Sequence, residues 1–490
     1  MKVVLAIDLG TTGNRVIAFS QEGKMVAKSY YEFPQIFPRP GWVEHNPLDI
    51  WDTTCKALQD VLAEVKSDNV VAVGIANQRE TTVLWNKRTG KPVYNALVWQ
   101  CRRTQAICEQ LSEHSATVKE KTGLTLDPYF SATKIKWIME NVQGVKEQVD
   151  TGEIIFGTVD SWVLWNLTGG KVHATEPSNA SRTLCYNIKT LDYDDELLNI
   201  FGLPRSIFPR VKESGGHFGN IDEKIAGKEI PITGILGDQQ ASLFTQGGWE
   251  PGIVKNTYGT GLFIMTSTGK DLLPTGRLIN TIAWKIKGEV NYAIEGSVFV
   301  GGACLQWLRD GLQIVESSAD TETMAKSLDS NEGVYFVPAL VGLGAPYWNP
   351  SARGMIIGIT RGTQREHLAR AALESIAYQT RDVIEEMERV SGMKLKKLRV
   401  DGGATQNDFL MQFQADILNM IIDRPLLIET TALGAAGISG ITAGFWDKEE
   451  FFQARKIDKV FTPNLDEDKR QFYYSQWKDA VKRAMNWARD

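Results

Sequence analysis

Two segments of similar design limit the possible folds more than any other feature of this sequence. Residues 3–19 and residues 252–265 each contain two apolar runs joined by a turn rich in Gly and Thr, which predicts strand, tight turn, strand. In each half a later strand also runs into a Gly/Asp turn and a helix, at residues 235–239 and 398–403. The same strand–turn patterns thus occur in the same order in both halves, although few residues are identical. From this repeat we infer two related halves. A coincidence between two common strand–turn patterns is the alternative explanation.

A cluster of turn residues predicts the boundary between the halves. The cluster comprises Gly247, Gly248, Pro251 and Gly252. Gly and Pro are the residues that interrupt regular structure most strongly. We therefore expect two domains, at residues 1–247 and 248–490, each near the upper end of the usual domain size.

The first half opens with the signals of an α/β arrangement. Three strand patterns lie within residues 3–31, and Asn46-Pro47 then places a helix N-cap before Pro at the first helical position. An amphipathic pattern follows to about Val65, and residues 70–76 form a fully apolar strand pattern. Hairpin strands, a helix and further strands predict a mixed sheet with helices packed on it.

The second half contains three further helix signals. Residues 363–366 (Thr-Gln-Arg-Glu) read as a capping box that opens a long helix toward Arg389. Residues 405–408 open another helix, with Phe409 on its apolar face. Residues 432–444 are rich in Gly and Ala, which suits a helix packed very close to a neighbouring backbone.

Composition excludes several classes of function. The 490 residues carry a net charge of −5, so no basic field is available to neutralise nucleic-acid phosphates. None of the five cysteines forms a CxxC pair, which favours a reducing compartment over a disulfide framework or zinc site. No apolar run approaches the ~18 residues of a membrane span, and Asp8 ends the first apolar run too soon for a signal peptide. We expect a cytoplasmic protein without membrane insertion.

The first Gly/Thr turn has the residue types that bind phosphate. Common phosphate motifs (GxxxxGK[ST] and GxGxxG) are absent, as are GxSxG and the HRD/DFG pair. In the turn at residues 8–15, backbone N–H groups and the Thr11 and Thr12 hydroxyls suit phosphate oxygens, and Arg15 can offset transferring charge. Asp8 at the strand end suits Mg²⁺ held through water. A plain hairpin turn capped by Asp8 is the alternative.

Two further turns repeat this design in the second half. Residues 257–261 (Thr-Tyr-Gly-Thr-Gly) match the first turn, and residues 401–404 (Asp-Gly-Gly-Ala) precede a helix. Two such turns facing across a cleft would hold a polyphosphate from both sides, and a helix N-terminus accepts a phosphate or flat ring. Tight turns that need Gly for backbone conformation or packing are the alternative.

Asp238 and the segment 77–80 are the candidates for acceptor chemistry. Asp238 follows an apolar strand and precedes a helix, where open α/β sheets bind ligands, so it can accept a hydroxyl proton as a general base. An N-cap role is the alternative. Arg79 and Glu80 follow a buried strand and can hydrogen-bond neighbouring hydroxyls of a polyol; a surface ion pair is the alternative.

Aromatic side chains supply the walls of the same candidate pocket. Trp99, Tyr129 and Phe263 can pack against the C–H groups of a polyol. Core packing is the alternative, and it is the commoner fate of an aromatic side chain.

Taken in order, these segments resemble a known family. The segments that carry the likeness are residues 8–12, 77–82, 98–104, 126–131 with Lys134 and Trp137, 237–240, 256–261, 344–348, 352–354 and 401–404. They are similar to the carbohydrate kinases, which share the fold of actin, hexokinase and the heat-shock-chaperone ATPases, and within that family to the enzymes that phosphorylate glycerol. The likeness covers essentially the whole length.

The resemblance implies a fold and an activity. The fold would be α/β, with two related actin/hexokinase-like (ribonuclease-H-like) domains, each a mixed sheet flanked by helices, and a cleft between them that closes on the substrates. The activity would be phosphorylation of glycerol to sn-glycerol 3-phosphate, with ATP as co-substrate and Mg²⁺ on its phosphates. Family members are often homodimers or homotetramers.

The resemblance also implies roles for individual residues. Asp238 would be the general base, Asp8 the Mg²⁺ anchor through water, and Arg15 a third catalytic residue. The glycerol site would be lined by Arg79, Glu80, Trp99, Tyr129, Asp238, Gln239 and Phe263. The nucleotide site would be formed by Thr11, Thr12, Gly13, Arg15, Thr260, Gly302, Gln306, Gly403 and Asn407. Replacing Arg79 with Ala is expected mainly to weaken glycerol binding.

The sequence departs from the family pattern at two places. Gly13-Asn14 stands where members commonly have two serines, so a hydroxyl contact is lost there while backbone contacts are kept. Glu229 precedes Ile230-Pro231 where members inhibited by fructose 1,6-bisphosphate carry a basic residue, so we expect weak or no inhibition by that anion. A kinase for another small polyol or a pentulose, a nucleotide-gated protein of the same fold, and a degenerate ligand-binding regulator are the alternative functions.

Overall fold

The computed structural model describes residues 1–250, 252–453 and 455–488, so Pro251 of the predicted boundary cluster lies outside the described residues. The strands are β1 (Val3–Leu9), β2 (Gly13–Phe19), β3 (Met25–Glu32), β4 (Glu44–His45), β5 (Val70–Asn77), β6 (Thr82–Asn86), β7 (Ala96–Leu97), β8 (Ile154–Thr158), β9 (Ala174–Thr175), β10 (Tyr186–Asn187), β11 (Asp192–Tyr193), β12 (Arg210–Val211), β13 (Gly215–Ile221), β14 (Ile230–Gly237), β15 (Ile253–Tyr258), β16 (Leu262–Gly269), β17 (Ile279–Ile286), β18 (Glu289–Val298), β19 (Tyr335–Val337), β20 (Met355–Ile357), β21 (Lys397–Asp401), β22 (Ile421–Pro425) and β23 (Ile457–Phe461).

The helices lie between groups of these strands and after the last of them. They are α1 (Pro47–Val65), α2 (Gln105–Gln110), α3 (Ser115–Thr122), α4 (Ser131–Asn141), α5 (Val145–Asp150), α6 (Val159–Leu167), α7 (Pro177–Ala180), α8 (Asp195–Phe201), α9 (Glu223–Ala226), α10 (Asp238–Thr245), α11 (Ala303–Asp310), α12 (Asp320–Lys326), α13 (Arg365–Ser391), α14 (Asp408–Leu418), α15 (Thr430–Thr442), α16 (Lys448–Gln453) and α17 (Glu467–Ala484). No helix in these ranges is both long enough and apolar enough to cross a bilayer.

The main sheet shows the predicted repeat. Its order is β23-β22-β21-β15-β16-β18-β17-β13-β14-β5-β1-β2-β3. In the first half β1 is antiparallel to β2 and parallel to β5, and in the second half β15 is antiparallel to β16 and parallel to β21. Within the described ranges the two sub-sheets meet where β13 and β17 are joined by one pair, Gly215 and Ile286. The predicted α/β class with two similar mixed sheets is confirmed.

Helix α15 packs against the sheet of the other half. It contacts β1, β5 and β14 of the first half as well as α10. A Cβ on Gly434 would lie 1.9 Å from the Ala241 carbonyl oxygen, and a Cβ on Gly74 would lie 1.9 Å from that of Ala435. Only Gly permits such approaches, so the predicted close packing of this Gly/Ala-rich helix is confirmed.

Of two predicted helix starts, one is correct and the other is wrong by one residue. Helix α1 begins at Pro47, and the Asn46 side chain accepts from the Leu48 amide at 3.1 Å, as expected. The predicted capping box at Thr363 is wrong by one residue. Gln364 is the N-cap of α13 and His367 is its N3 partner, while the Thr363 hydroxyl accepts from the Thr360 amide at 2.9 Å in the preceding turn.

Candidate functional site

The site is built at one edge of the main sheet, where three parallel strands end. Asp8 on β1 and Leu236 on β14 are both paired with Ala76 of the intervening β5. The chain leaves β5 into Gln78 and Arg79 and leaves β14 into Asp238, the first residue of α10. Carboxyl ends of neighbouring parallel strands bring their following residues together, which is why open α/β sheets bind ligands there.

Asp8 lies in a nearly buried acidic position. Desolvation raises its pKa to about 6, with Arg15 opposing that shift and Glu429 and Asp238 adding to it. The Arg15 Nε is 3.4 Å from Asp8 Oδ2. A carboxylate that is desolvated and only partly compensated is a good oxygen donor to a hard cation, so Asp8 fits the predicted Mg²⁺ anchor.

Arg15 is held by a residue that the sequence did not point to. Its Nη1 donates to Glu429 at the start of α15, and Lys28 Nζ donates to the other Glu429 oxygen at 2.8 Å. Glu429 belongs to the second half of the sequence but meets the hairpin of the first half because α15 packs there. No local pattern at residue 429 carries this information.

Asp238 keeps one side open. Its side chain is 29% exposed. Its Oδ1 accepts from the Gln239 amide at 2.8 Å and its Oδ2 accepts from Gln239 Nε2 at 3.1 Å. Arg79 Nε lies 3.4 Å from Oδ1. An oriented carboxylate with unused lone pairs can accept a hydroxyl proton, which is the geometry that general-base catalysis requires.

Arg79 and Glu80 belong to a buried network of four charges. Arg79 Nη1 and Nη2 donate to the two Glu295 oxygens at 2.7 and 2.9 Å, and Arg182 Nε donates to Glu80 Oε1 at 2.5 Å. Desolvation alone would raise the pKa of Glu295, but Arg182 and Arg79 lower it to about 2. Only the Nε edge of Arg79 therefore faces Glu80, at 3.8 Å, and Asp238.

The predicted aromatic wall is assembled. The Trp99 ring meets Tyr129 and Phe263 edge to face, each with ring centroids 5.8 Å apart. Trp99 Nε1 donates to the Thr11 hydroxyl at 3.0 Å, which ties the wall to the Gly/Thr turn. Phe263 lies on β16, so the wall contains side chains from both halves.

The Gly/Thr turn of the first half has an open outer face. Thr12 is exposed, with its hydroxyl 3.4 Å from the Tyr30 hydroxyl. A Cβ on Gly13 would lie 2.5 Å from the Tyr31 carbonyl oxygen. The Asn14 side chain points the other way and donates to Ile50 O at 2.8 Å in α1. The departure Gly13-Asn14 thus has a packing explanation, because the Asn14 side chain is buried against α1.

The predicted nucleotide residues of the second half lie at the matching sheet edge. The Gly301 amide donates to Thr260 O and the Gly302 amide to Gly259 O, both at 2.8 Å. Thr260, Gln306 and Gly403 are exposed, and a Cβ on Gly403 would meet nothing within 4 Å. Asn407 accepts from the Leu410 amide at 2.9 Å as the N-cap of α14, and its Nδ2 group donates weakly to the Thr321 hydroxyl at 3.5 Å.

A buried carboxylate, Glu176, lies behind the strand end that leads into Asp238. Glu176 accepts from Ser178 Oγ at 2.5 Å and from Ser214 Oγ at 2.6 Å. The Ser178 hydroxyl in turn accepts from the Gly237 amide at 2.8 Å, immediately before Asp238. The sequence does not single out Glu176 or Ser178, because two polar residues beside a short helix are common and do not indicate a place at a site.

The chain matches a described family over most of its length. Residues 3–245 match the N-terminal domain of the FGGY family of carbohydrate kinases, and residues 254–443 match its C-terminal domain. The glycerol kinase of Aquifex aeolicus is 61% identical over 490 residues, which is 100% of both chains. Glycerol kinase 2 of Thermotoga maritima is 54% identical, with 99% of each chain covered.

Solved structures give the same likeness in three dimensions. Plasmodium falciparum glycerol kinase with ADP superposes with a TM-score of 0.91 at 35% identity, over 99% of this chain and 98% of that one. Xylulose kinase from Lactobacillus acidophilus has a TM-score of 0.87 at 22% identity, over 98% and 97% of the two chains, which bears on the fold alone. The predicted actin/hexokinase-like architecture is confirmed.

Proposed function

The chain belongs to the FGGY family of carbohydrate kinases, and on that premise we propose that it phosphorylates glycerol with ATP to give sn-glycerol 3-phosphate and ADP. One observation carries the proposal beyond the family. Asp238 presents a partly exposed, oriented carboxylate 3.4 Å from Arg79 Nε, on the same sheet edge as Asp8. These groups supply a base, a cation and an anchor for a phosphate-bound metal.

Asp238 and Arg79 are proposed to handle the acceptor hydroxyl. Asp238 orients one terminal hydroxyl of glycerol and takes its proton as the bond to phosphorus forms. Arg79 Nε and Glu80 pair the remaining hydroxyls, while Gln239 holds the base and Trp99 packs on the carbon chain. Since a polyol is neutral, pairing each hydroxyl provides the specificity, and an analogue that lacks one hydroxyl leaves a buried polar group unpaired.

Phosphoryl transfer needs positioning and charge stabilisation more than covalent chemistry. Thr11, Thr12 and Gly13 with Arg15 are proposed to hold the phosphates from the first half. Thr260 would meet them from the second half, with Gly302, Gln306, Gly403 and Asn407 on the rest of the nucleotide. Mg²⁺, when bound near Asp8, would offset charge on the phosphoryl oxygens. Closure of the cleft would exclude water, the competing nucleophile.

The remaining properties rest on resemblance to the family. We include in the proposal a homodimer or homotetramer, a cytoplasmic location, and weak or absent inhibition by fructose 1,6-bisphosphate. Glu229 is exposed and accepts from Asn220 Nδ2 at 2.7 Å, so a carboxylate stands where a bisphosphate would need a cation.

A coupled ADP-release assay tests the proposal. Purified protein with ATP and Mg²⁺ should release ADP only when glycerol is added, and a panel with xylulose, ribulose and erythritol should give far lower kcat/KM. ADP release that is independent of any polyol would favour a nucleotide-gated protein of the same fold. A pentulose with kcat/KM above that of glycerol would move the assignment to another kinase of the family.

A further inference from the structure

Lys255 is a buried cation that the proposed mechanism does not use. It lies on β15 in the second half and is fully buried. Its Nζ donates to Gln239 Oε1 and lies 3.3 Å from the Phe263 carbonyl oxygen. Among the described residues, no carboxylate oxygen lies within 4.0 Å of the Lys255 Nζ, which is the distance limit for an ion pair. Burying an ammonium without a paired carboxylate is costly, so the position calls for an explanation.

The neighbours of Lys255 form a chain with a defined direction. An ammonium can only donate hydrogen bonds, and an ionised carboxylate can only accept them. The Gln239 amide lies between the two, with Oε1 toward Lys255 and Nε2 donating to Asp238 Oδ2 at 3.1 Å. Both partners therefore select the same orientation of the amide, and a flipped amide would lose both bonds.

We propose that Lys255 is a positioning residue for the base: it fixes the Gln239 amide so that Nε2 holds Asp238 in the rotamer that accepts the hydroxyl proton. This inference rests on the proposed function, since it assigns Lys255 to the same site. The bond also crosses between the halves, because Lys255 and Phe263 come from β15 and β16 while Gln239 and Asp238 open α10. The base is then fully oriented only when the second half is docked as it is here.

The charge environment is consistent with this assignment. Desolvation lowers the pKa of Lys255 to about 8, while the charges of Asp401 and Asp238 oppose that shift. The Asp401 carboxylate is itself occupied by Ser242 Oγ at 2.6 Å and Thr430 Oγ1 at 2.7 Å. Asp401 therefore acts on Lys255 at a distance and does not replace Gln239 as its partner.

Lys255→Met tests the proposal, because Met fills the space without donors. With glycerol and ATP we expect kcat to fall about 10- to 100-fold, the scale of one hydrogen bond to a charged group, while KM for ATP changes less than twofold. In a Gln239→Leu background the same substitution should cost nothing further. A kcat within twofold of the unsubstituted enzyme, or a loss that adds fully to that of Gln239→Leu, would overturn the proposal.

A second variant keeps the test valid if Lys255→Met does not fold. Gln239→Glu retains the contact with Lys255 but replaces the donor to Asp238 with a second carboxylate, so kcat should fall by at least a similar factor. Near-native kcat in Gln239→Glu would also overturn the proposal. If the unsubstituted protein shows no glycerol-dependent ADP release, the proposed function fails and the role of Lys255 fails with it; an active parent with an unaffected variant rejects the role of Lys255 alone.

Discussion

At the scale of single residues, surroundings give similar carboxylates different properties. Glu295 lies between two guanidinium groups, which lower its pKa to about 2 despite burial. At Asp8 the positive charge of Arg15 offsets the cost of burial only in part, so desolvation raises the pKa of Asp8 to about 6. Asp238 keeps part of its surface open and its oxygens oriented by Gln239. The three groups therefore suit a structural anion, a metal anchor and a base.

Asp238→Asn should separate binding from turnover. The amide keeps the size of the side chain but cannot take the hydroxyl proton, so kcat should fall roughly 10²- to 10⁴-fold while the Kd for glycerol from calorimetry stays near that of the parent. Asp310→Asn, at an exposed ion pair on α11, is the matched control and should change neither. An Asp238→Asn variant with near-native kcat would refute the base assignment.

Arg79→Ala should destabilise the fold and also weaken the proposed glycerol site. The substitution leaves the buried Glu295 paired with Arg182 alone among the residues that the structure describes, and breaking a buried pair costs about 3–5 kcal/mol. Denaturant unfolding should show that loss together with a weaker calorimetric signal for glycerol. Arg309→Ala removes an exposed pair with Asp310 and should change the free energy of unfolding little, because solvent screens the pair. A loss of stability below that of the control would contradict the network.

Sequence patterns predicted one part of this site and not another. Asp238 and Arg79 follow buried strands, so their places at the sheet edge follow from the strand pattern. Glu295 and Arg182 are 113 positions apart and meet only in the folded chain. Lys255 resembles any lysine in a strand until its burial is known. Long-range pairing of charges has no local signal, which is why these three residues were missed.

At the scale of elements, the contact between α10 and α15 depends on glycine. Gly434→Ala should destabilise the fold by more than about 1 kcal/mol, since its Cβ would lie 1.9 Å from the Ala241 carbonyl oxygen and backbone must move. Gly362→Ala, where a Cβ meets only the Thr360 hydroxyl oxygen at 3.8 Å, is the control and should change the free energy of unfolding little. Equal melting temperatures for the two variants would show that the α10–α15 contact is looser than described.

Helix boundaries show the limit of prediction at this scale. Asn46-Pro47 predicted the start of α1 correctly, because the cap and the proline act within one turn. At α13, Thr363 and Gln364 are adjacent candidates, and the competing turn at Thr360 takes the threonine hydroxyl. Tertiary context decides between neighbouring caps of similar quality.

The segment around α7 should make the free energy of unfolding depend on pH. Desolvation raises the pKa of Glu176 from 4.5 to about 7, so the folded state binds more protons than the unfolded state between those values. The contribution of Glu176 to the free energy of unfolding is fully present below about pH 4.5 and is lost as the pH rises through about 7. Glu176→Gln should remove on the order of 3 kcal/mol or less from the stability difference between pH 5 and pH 8, measured by denaturant unfolding. The same pH dependence in both proteins would exclude Glu176 as its source.

At the scale of the whole molecule, the two halves should close on their substrates. The sub-sheets are joined by the pair Gly215–Ile286 and by α10 against α15, while the aromatic contact between Trp99 and Phe263 brings side chains of both halves together. Closure of the two halves on their substrates would exclude water from the site. Because closure brings the halves closer together, adding glycerol together with a non-hydrolysable ATP analogue should lower the radius of gyration in small-angle X-ray scattering. Glycerol with the analogue omitted is the control. An unchanged radius with both ligands bound would contradict closure.

The placement of α15 has a consequence for how the chain is made. During translation the N-terminal half leaves the ribosome first, and its strands β1, β5 and β14 can then pair with one another. The helix that covers them at Gly74 and Gly234 is not complete until residue 442 has been synthesised. Until then one apolar side of the nascent sheet remains in water, where exposed hydrophobic surface invites aggregation. Translation of this protein thus passes through a long interval in which chaperone capture would compete with self-association.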